Sequence, residues 1–198
     1  MNAPDQTMQR LGATAKGAGD QTIVLLHGFG GHHADWADIQ AELSRSARVI
    51  AYDLPGHGRS LDVAGAGSAP AAGKAILADL AQRGVDAAHV VGFSMGGAIA
   101  VLMALRAPAL IRSLTLVAPG GFGPDINGDL LQRFARADGD GVRLCLNEMS
   151  GPGFQTLTRD AAGAAAMHGA KGQREKLAEI AGMISRDNRQ GEIPRQQL

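Results

Sequence analysis

The stretch that decides the fold runs from Ala87 to Arg106 and reads AAHVVGFSMGGAIAVLMALR. Its first five residues are short, apolar and β-branched, which predicts a buried strand, and its last ten predict a helix that stops near Pro108. Between them lies Gly92-Phe93-Ser94-Met95-Gly96, and a strand, G-x-S-x-G and a helix form the context of a nucleophile elbow. So tight a turn leaves almost no room for side chains at Gly92 and Gly96. Ser94 is therefore predicted to stand at a helix N-terminus, where backbone N–H groups favour a developing negative charge.

A serine nucleophile needs a histidine base and a carboxylate that orients it, and behind a nucleophile elbow the chain order is Ser, Asp or Glu, then His. His168 is the one histidine that follows Ser94 in the sequence. It lies in a stretch predicted as helical and could act as the base only if that stretch folded over the serine. Asp125 is a candidate for the acid, although a loop aspartate near a helix start is the competing interpretation. The sequence leaves open whether His168 is the base and whether Asp125 is the acid.

Composition excludes several classes of function. Nineteen basic and nineteen acidic residues give zero formal charge, so neither nucleic acid nor a membrane surface is an expected partner. No apolar run approaches the roughly 20 residues that span a bilayer, and the first residues lack the features of a signal peptide. Cys145 is the single cysteine, which excludes an internal disulfide and fits a reducing compartment. We therefore expect a cytoplasmic location.

The rest of the chain predicts strands that alternate with helices. Near-continuous apolar strands in such an alternation indicate a mostly parallel sheet covered on both faces. The further strands are predicted at Thr22–Leu26, Arg48–Asp53 and Ser113–Ala118, with a weak one around Met8–Leu11. Helices are predicted from about Asp35 to Ser44, with Trp36, Ile39 and Leu43 on one face, and over Ala71–Arg83. From about Asp125 onward four short helices follow without a strand, near Leu130–Phe134, Val142–Met149, Ala161–Met167 and Glu175–Ile184.

The strand predicted at Ser113–Ala118 has a neighbour on only one side. An unpaired apolar edge exposes a row of N–H and C=O groups that can template association. No proline or lysine within those six residues blunts this edge. The chain is therefore expected to be marginally folded and to self-associate through this edge, or to need a complementing C-terminal piece.

Four segments occur in the order typical of one large family, and together the chain resembles the α/β-hydrolase superfamily over roughly residues 20–120. The segments are His27-Gly28-Phe29-Gly30-Gly31, Asp53-Leu54-Pro55-Gly56-His57-Gly58-Arg59-Ser60, Gly92-Phe93-Ser94-Met95-Gly96-Gly97 and Leu116-Val117-Ala118-Pro119. Residues 118–127 are also similar to the hydrolase-fold part of the acyltransferase component of acetoin-cleaving systems.

The resemblance implies a division of roles and of the chain. Ser94 matches the nucleophile, and the N–H groups of Phe29 and Met95 match the two donors of the oxyanion hole. It further implies a small-molecule acyl substrate, an acyl-serine intermediate and no cofactor. Residues 1–124 correspond to the hydrolase core and residues 125–198 to a helical lid. Since family members place the acid and the histidine after later strands, the chain is expected to be the front part of a longer hydrolase whose last strands are absent.

Three alternatives accompany this interpretation. Gly28-Phe29-Gly30-Gly31 resembles the start of the G-x-G-x-x-G motif of nucleotide-binding domains. The third glycine of that motif would fall at position 33, where the chain has His33. A non-catalytic hydrolase-fold binding protein would explain the missing histidine, and an acyltransferase subunit of an acetoin-type complex would explain the second resemblance. His32, His33 and Asp35 are interpreted as a solvated turn rather than a metal site. His27 and His57 are expected to shape their loops.

Overall fold

The computed structural model describes residues 10–150, 152, 153, 155, 158–194 and 196 of the 198-residue chain. It confirms the predicted mostly parallel sheet flanked by helices. The strands are β1 Ala13–Lys16, β2 Thr22–Leu26, β3 Arg48–Tyr52, β4 Ala88–Phe93 and β5 Ile111–Val117. The helices are α1 Ala37–Leu43, α2 Ala69–Gln82, α3 Met95–Arg106, α4 Gly128–Arg136, α5 Gly139–Ser150, α6 Thr158–His168 and α7 Gln173–Ile184, and short 3-10 turns cover His33–Trp36 and Gly58–Ser60.

The five strands form one sheet in the order β1-β3-β2-β4-β5. Only β1 is antiparallel to its neighbour, and the other three pairings are parallel. At the centre of the sheet Val24 lies opposite Ile50 on one side and Val90 on the other. Because parallel strands bring their carboxyl ends to one edge, the loops after β2, β3 and β4 meet there. The candidate site lies among these loops.

Helices bury the central strands on both faces. Ile76 and Leu80 of α2 and Ile99 and Met103 of α3 pack with Tyr52 in one core. On the opposite face Trp36 packs with Leu25, Val49 and other strand residues in a second, smaller core. Helices were expected to cover both faces of the whole sheet. They do not cover β5, where Ser113, Thr115 and Val117 are exposed. In the described part of the chain β5 is also an edge strand, so that side is open.

The first helix and the first strand differ from expectation. The predicted helix from Asp35 begins as the 3-10 turn and becomes α-helical only at Ala37. Ile39 does not face the core but is 49% exposed. Gln40 takes the buried position because its amide donates to the carbonyls of Thr14 and Val49 at 3.0 and 3.2 Å, which links two strands.

The weak strand expected around Met8–Leu11 lies partly outside the described residues. The observed strand at this end is β1, which begins two residues after Leu11 and pairs with β3.

The four helices predicted after Asp125 are confirmed. They pack through the buried side chains of Leu130, Phe134 and Val142 in one cluster and Leu177 and Ala181 in another. In this part of the described chain, strand-like pairing is limited to isolated bridges that Arg189 makes with Asp125 and Arg186. We call α4 to α7 the helical segment. None of the described helices is long and apolar enough to cross a membrane.

Candidate active site

Ser94 occupies a strained backbone conformation between β4 and α3. Its φ and ψ are 51° and −118°, a region that residues with side chains adopt rarely and that is found at functional sites. Backbone bonds hold it there. The Ser94 N–H donates to the carbonyl of Val117 at 3.0 Å, and the Ser94 carbonyl accepts from the N–H groups of Gly97 and Gly120, both at 2.9 Å. The end of β5 and the loop after it therefore fix the turn that presents this serine.

The two glycines of the elbow are sterically required. A Cβ atom on Gly92 would lie 2.5 Å from the carbonyl oxygen of Gly96, and one on Gly96 would lie 2.5 Å from the backbone oxygens of Leu26 and His27. Backbone atoms cannot give way as a flexible side chain can. The positions of Gly92 and Gly96 thus follow from the close approach of β2, β4 and α3.

The loop after β2 lies directly against the serine. A Cβ atom on Gly28 would be 3.1 Å from the Cβ of Ser94. Within the described part of the chain, the N–H groups of Phe29 and Met95 donate no hydrogen bond to another protein group. Met95 is the first residue of α3, so the helix dipole adds to the field at this point. Two free donors beside a strained serine are what oxyanion stabilisation requires, and this is the role predicted for both.

Two buried histidines tie the loops after β2 and β3 to each other. The Leu54 N–H donates to Nε2 of His27 at 2.9 Å, and the Gly30 N–H donates to Nε2 of His57 at 3.2 Å. Since both Nε2 atoms accept, each ring carries its proton on Nδ1, which faces the carbonyl of Gly28 in one case and of Pro55 in the other. Burial lowers the pKa of His27, and burial together with the neighbouring His27 lowers the pKa of His57 to about 3. Both rings are therefore neutral, and the expectation that they shape their loops agrees with these contacts.

A buried carboxylate holds the same two loops from the other side. Oδ1 of Asp53 accepts from the N–H of His33 and contacts its ring Nδ1, both at 2.8 Å. Oδ2 accepts from the N–H and the Nε of Arg59, both at 3.1 Å. Burial raises the pKa of Asp53, but the His33 and Arg59 donors outweigh it and the net pKa is lowered. Sequence analysis placed Asp53 at the end of a predicted strand and in one of the four family segments, and it missed this role.

The two histidines in the turn after β2 have separate carboxylate partners. His33 contacts Asp53, whereas His32 forms an ion pair with Asp35 at 2.6 Å that raises the pKa of His32. Both rings are half-buried, so the interpretation of a solvated turn needs correction, since each histidine has its own carboxylate partner. Among the described residues, no group of three potential metal ligands is present.

The two candidates for acid and base lie in different surroundings. The side chain of Asp125 is 91% exposed and 3.9 Å from Arg189. His168 is fully buried in the helical segment, with its ring 4.6 Å from that of Phe134. Neither of its ring nitrogens makes a hydrogen bond of ordinary geometry, although the backbone carbonyls of Gly30 and Ala137 approach it. Burial lowers the pKa of His168.

A positioned base for Ser94 is not formed by the described residues. All six histidines of the chain lie within them, and none is hydrogen-bonded to the Ser94 hydroxyl. Four bind loop groups or carboxylates as described above, His168 faces the backbone carbonyls of Gly30 and Ala137, and His89 contacts the hydroxyl of Ser113 at 2.8 Å on the open side of the sheet. The roles predicted for Asp125 and His168 thus stay predictions without a contact that supports them.

Comparison with known proteins places the chain in a family. The alpha/beta hydrolase fold family matches residues 21–143, and the chain belongs to it, as the resemblance predicted. The chain is 41% identical over 121 residues to the dihydrolipoyllysine-residue acetyltransferase component of the acetoin cleaving system of Pseudomonas putida, a match that covers 61% of this chain and 33% of that protein. It is 31% identical over 160 residues to the 2-hydroxy-6-oxononadienedioate/2-hydroxy-6-oxononatrienedioate hydrolase of Burkholderia vietnamiensis, covering 78% of this chain and 53% of the relative.

Solved structures agree with the fold. The 2-hydroxy-6-oxo-6-phenylhexa-2,4-dienoate hydrolase of a Rhodococcus species superposes with a TM-score of 0.75 at 23% identity, covering 95% of this chain and 73% of that structure. The chain spans about a third of the length of the acetoin-system relative and about half of the curated hydrolase. Its relatives include hydrolases. The comparisons therefore define the family and the fold of the chain, but not its substrate.

Proposed function

We propose that the protein is a serine hydrolase that cleaves an ester, a thioester or a related acyl bond, including a carbon–carbon bond next to a carbonyl. The observation that carries the proposal is the strained Ser94 turn beside two unoccupied N–H donors. Ser94 Oγ attacks the carbonyl carbon, and the N–H groups of Phe29 and Met95 stabilise the oxyanion. The bond to the leaving group breaks and the leaving group takes up the hydroxyl proton of Ser94, and water then hydrolyses the acyl-serine to the free acid and restores the serine hydroxyl.

The helical segment supports a lid role in this proposal. Its Phe134 ring lies 6.2 Å from the ring of Phe29, edge to face, so apolar residues of the segment lie beside the proposed oxyanion loop. Leu130 and Val142 extend the same apolar cluster. An acyl group that enters here meets hydrocarbon rather than charge, which favours a small or medium hydrophobic substrate.

The 198-residue chain is expected to turn over esters slowly. Without a histidine on its hydroxyl, Ser94 stays protonated. An oxyanion hole and substrate binding alone leave a residual rate of about 10³–10⁴ over water, far short of a complete triad. Efficient ester hydrolysis by residues 1–198 would contradict this and would make His168 and Asp125 the first residues to substitute.

Labelling with a fluorophosphonate probe tests the nucleophile directly. The adduct is expected on Ser94 and is expected to vanish in Ser94→Ala. The matched control is Ser113→Ala, because Ser113 is hydrogen-bonded to His89 but has no oxyanion donors assigned beside it. Labelling that persists in Ser94→Ala, or that disappears in Ser113→Ala, would end the proposal.

Two further candidates each have one observation in favour. The identity to an acetyltransferase component favours acyl transfer to a thiol, and the absence of a histidine on Ser94 favours a non-catalytic binding protein. Incubation with an activated acetyl ester, with and without dihydrolipoamide, separates them. Product on the thiol supports the transferase, free acid supports the hydrolase, and ligand binding without an acyl-enzyme supports the binding protein.

A further inference from the structure

Gln173, the first residue of α7, reaches out of the helical segment and binds the loop after β3. Its side chain is buried, and its amide makes two hydrogen bonds to that loop. Oε1 accepts from the N–H of Gly58 at 2.9 Å, and Nε2 donates to the carbonyl of Gly56 at 2.9 Å. A primary amide that offers one acceptor and one donor matches this pair of backbone groups, of which the Gly56 carbonyl is buried and the Gly58 N–H half-buried.

His57 lies between Gly56 and Gly58, the two glycines that Gln173 binds. Its Nε2 accepts the hydrogen bond from the N–H of Gly30. Gly30 directly follows Phe29, the proposed oxyanion donor, and adopts a positive φ of 71°. A continuous path of hydrogen bonds and adjacent backbone therefore leads from α7 to the Phe29 N–H. The path runs through Gln173, then His57, then Gly30.

Among the described residues, Gln173 supplies the side-chain hydrogen bonds that join the helical segment to the loop that carries His57. Inside that loop the His57 N–H donates to the Leu54 carbonyl at 2.9 Å, the His57 carbonyl accepts from the Ser60 N–H at 2.8 Å, and the ring Nδ1–H faces the Pro55 carbonyl at 3.2 Å. Ile180 of α7 adds an apolar contact, since a Cβ on Gly56 would lie 2.6 Å from the Cδ1 of Ile180. Apolar contact alone does not set the orientation of a peptide group, whereas two hydrogen bonds on either side of His57 do.

We infer that Gln173 is a positioning residue through which docking of the helical segment sets the oxyanion donor at Phe29. The inference rests on the proposed function and extends it, because it makes the reactivity of Ser94 depend on a side chain of the helical segment. With α7 docked, His57 holds Gly30 and the Phe29 N–H faces the serine. With the amide removed, the loop after β3 loses two bonds and the donor loses its orientation.

Labelling of Ser94 by a fluorophosphonate has two measurable quantities, the rate and the final labelled fraction. Together they separate a positioning role of Gln173 from a merely structural one. Gln173→Met keeps the length of the side chain and removes both hydrogen bonds. We expect labelling about tenfold slower than in the parent chain, against the 10²–10³-fold lost when an oxyanion donor is removed outright, with the same final labelled fraction. A merely structural role would lower the labelled fraction and leave the rate unchanged, which would overturn the inference, as would a wild-type rate with full labelling.

Gln132→Met is the matched control. Gln132 is a half-buried glutamine of α4 whose Nε2 contacts the Ala178 carbonyl at 3.5 Å inside the helical segment. The same substitution there should leave the labelling rate within twofold of the parent chain. An equal slowing in both variants would mean that any loss of packing in the segment has the effect, and the inference would fail.

Amide hydrogen exchange at Gly30 provides a readout that does not depend on Ser94 chemistry. Gln173→Met is expected to speed exchange at this amide about tenfold, since its bond to His57 opens more often, while Gln132→Met leaves it unchanged. If the parent chain is not labelled at Ser94, the proposed function fails, and the exchange result alone decides whether the coupling exists. Should Gln173→Met not fold, Gln173→Glu, which keeps the acceptor for the Gly58 N–H, takes its place in both measurements.

Discussion

The loops at the carboxyl end of the sheet and the helical segment are held in place by different forces. In the loops, buried polar groups such as His27, His57 and Asp53 each bind backbone N–H groups of a neighbouring loop. In the helical segment, apolar clusters carry the packing, and ion pairs such as that between Arg133 and Glu148 are at the surface, where such pairs contribute little. The buried ring of His168 makes no hydrogen bond of ordinary geometry with the described residues. The loops thus depend on specific residue types, and the segment depends mainly on apolar volume.

Acid should destabilise the loops through their buried histidines, and this is the largest effect we expect. The pKa of His57 is about 3 in the folded chain against 6.5 for an ordinary histidine. Between these pH values the unfolded chain binds the additional proton, so the free energy of unfolding falls as the pH falls from 6.5 towards 3. At about 1.4 kcal/mol per pKa unit, His57 alone accounts for up to about 5 kcal/mol. Urea unfolding at a series of pH values measures this.

His57→Gln is the control for the acid effect. Its Oε1 can accept from the Gly30 N–H but does not titrate, so the fall between pH 6.5 and 4 should become shallower. His27 and His168, whose pKa values burial also lowers, act in the same direction, so the fall should not vanish, whereas other groups act differently. The contribution of Asp53 is lost only as the pH falls through its lowered pKa, below its ordinary value of 3.8, whereas that of His32 is lost as the pH rises through its raised pKa. An unchanged slope in His57→Gln would refute the assignment.

Truncation of one buried leucine in each region tests whether they unfold together. Leu25 of β2 and Leu177 of α7 are both fully buried, and Leu→Ala at such sites costs about 2–5 kcal/mol. We expect Leu25→Ala to lower the stability of the whole chain. Leu177→Ala is expected to speed amide exchange in α4 and α7 and to leave β2, β3 and β4 protected. If Leu177→Ala sped amide exchange equally in all strands, the sheet and the helical segment would unfold as one cooperative unit. The two regions would then not differ in this respect.

Two glycine substitutions compare how much space the two regions leave for an added Cβ atom. Gly96→Ala would place a Cβ 2.5 Å from the backbone oxygens of Leu26 and His27, and such overpacking costs about 1–3 kcal/mol. Gly163 lies within α6 with nothing near its Cβ position, so Gly163→Ala should stabilise the chain by up to about 1 kcal/mol through helix propensity. Chemical denaturation of both variants gives the two differences. The same sign for both would contradict the contrast.

The same contrast explains what could be predicted from the sequence. Gly92, Gly96 and the strand and helix around Ser94 were predictable because a close backbone approach permits few residue types, and these recur as a motif. The helices of the segment were predictable as helices from apolar spacing. Gln173 was not, because its partners lie more than a hundred residues away in the chain and no local pattern marks it. Ile39 was misplaced for a similar reason, since the buried position belongs to Gln40, whose role depends on two distant strands.

The smallest effect concerns the sheet edge that the helical segment leaves open. Residues 188–193 bond to the loop at 121–126 rather than along β5, so we propose that β5 pairs with β5 of a second copy. Thr115→Lys places a charge on the exposed row of β5 and should weaken self-association about tenfold in sedimentation experiments. Leu144→Lys is the matched control, because it adds the same charge and removes a 60% exposed leucine from the segment. If the parent chain sediments as a clean monomer with a sharp thermal transition, the edge is covered. If Leu144→Lys is the variant that dissociates, association proceeds through the apolar surface of the helical segment.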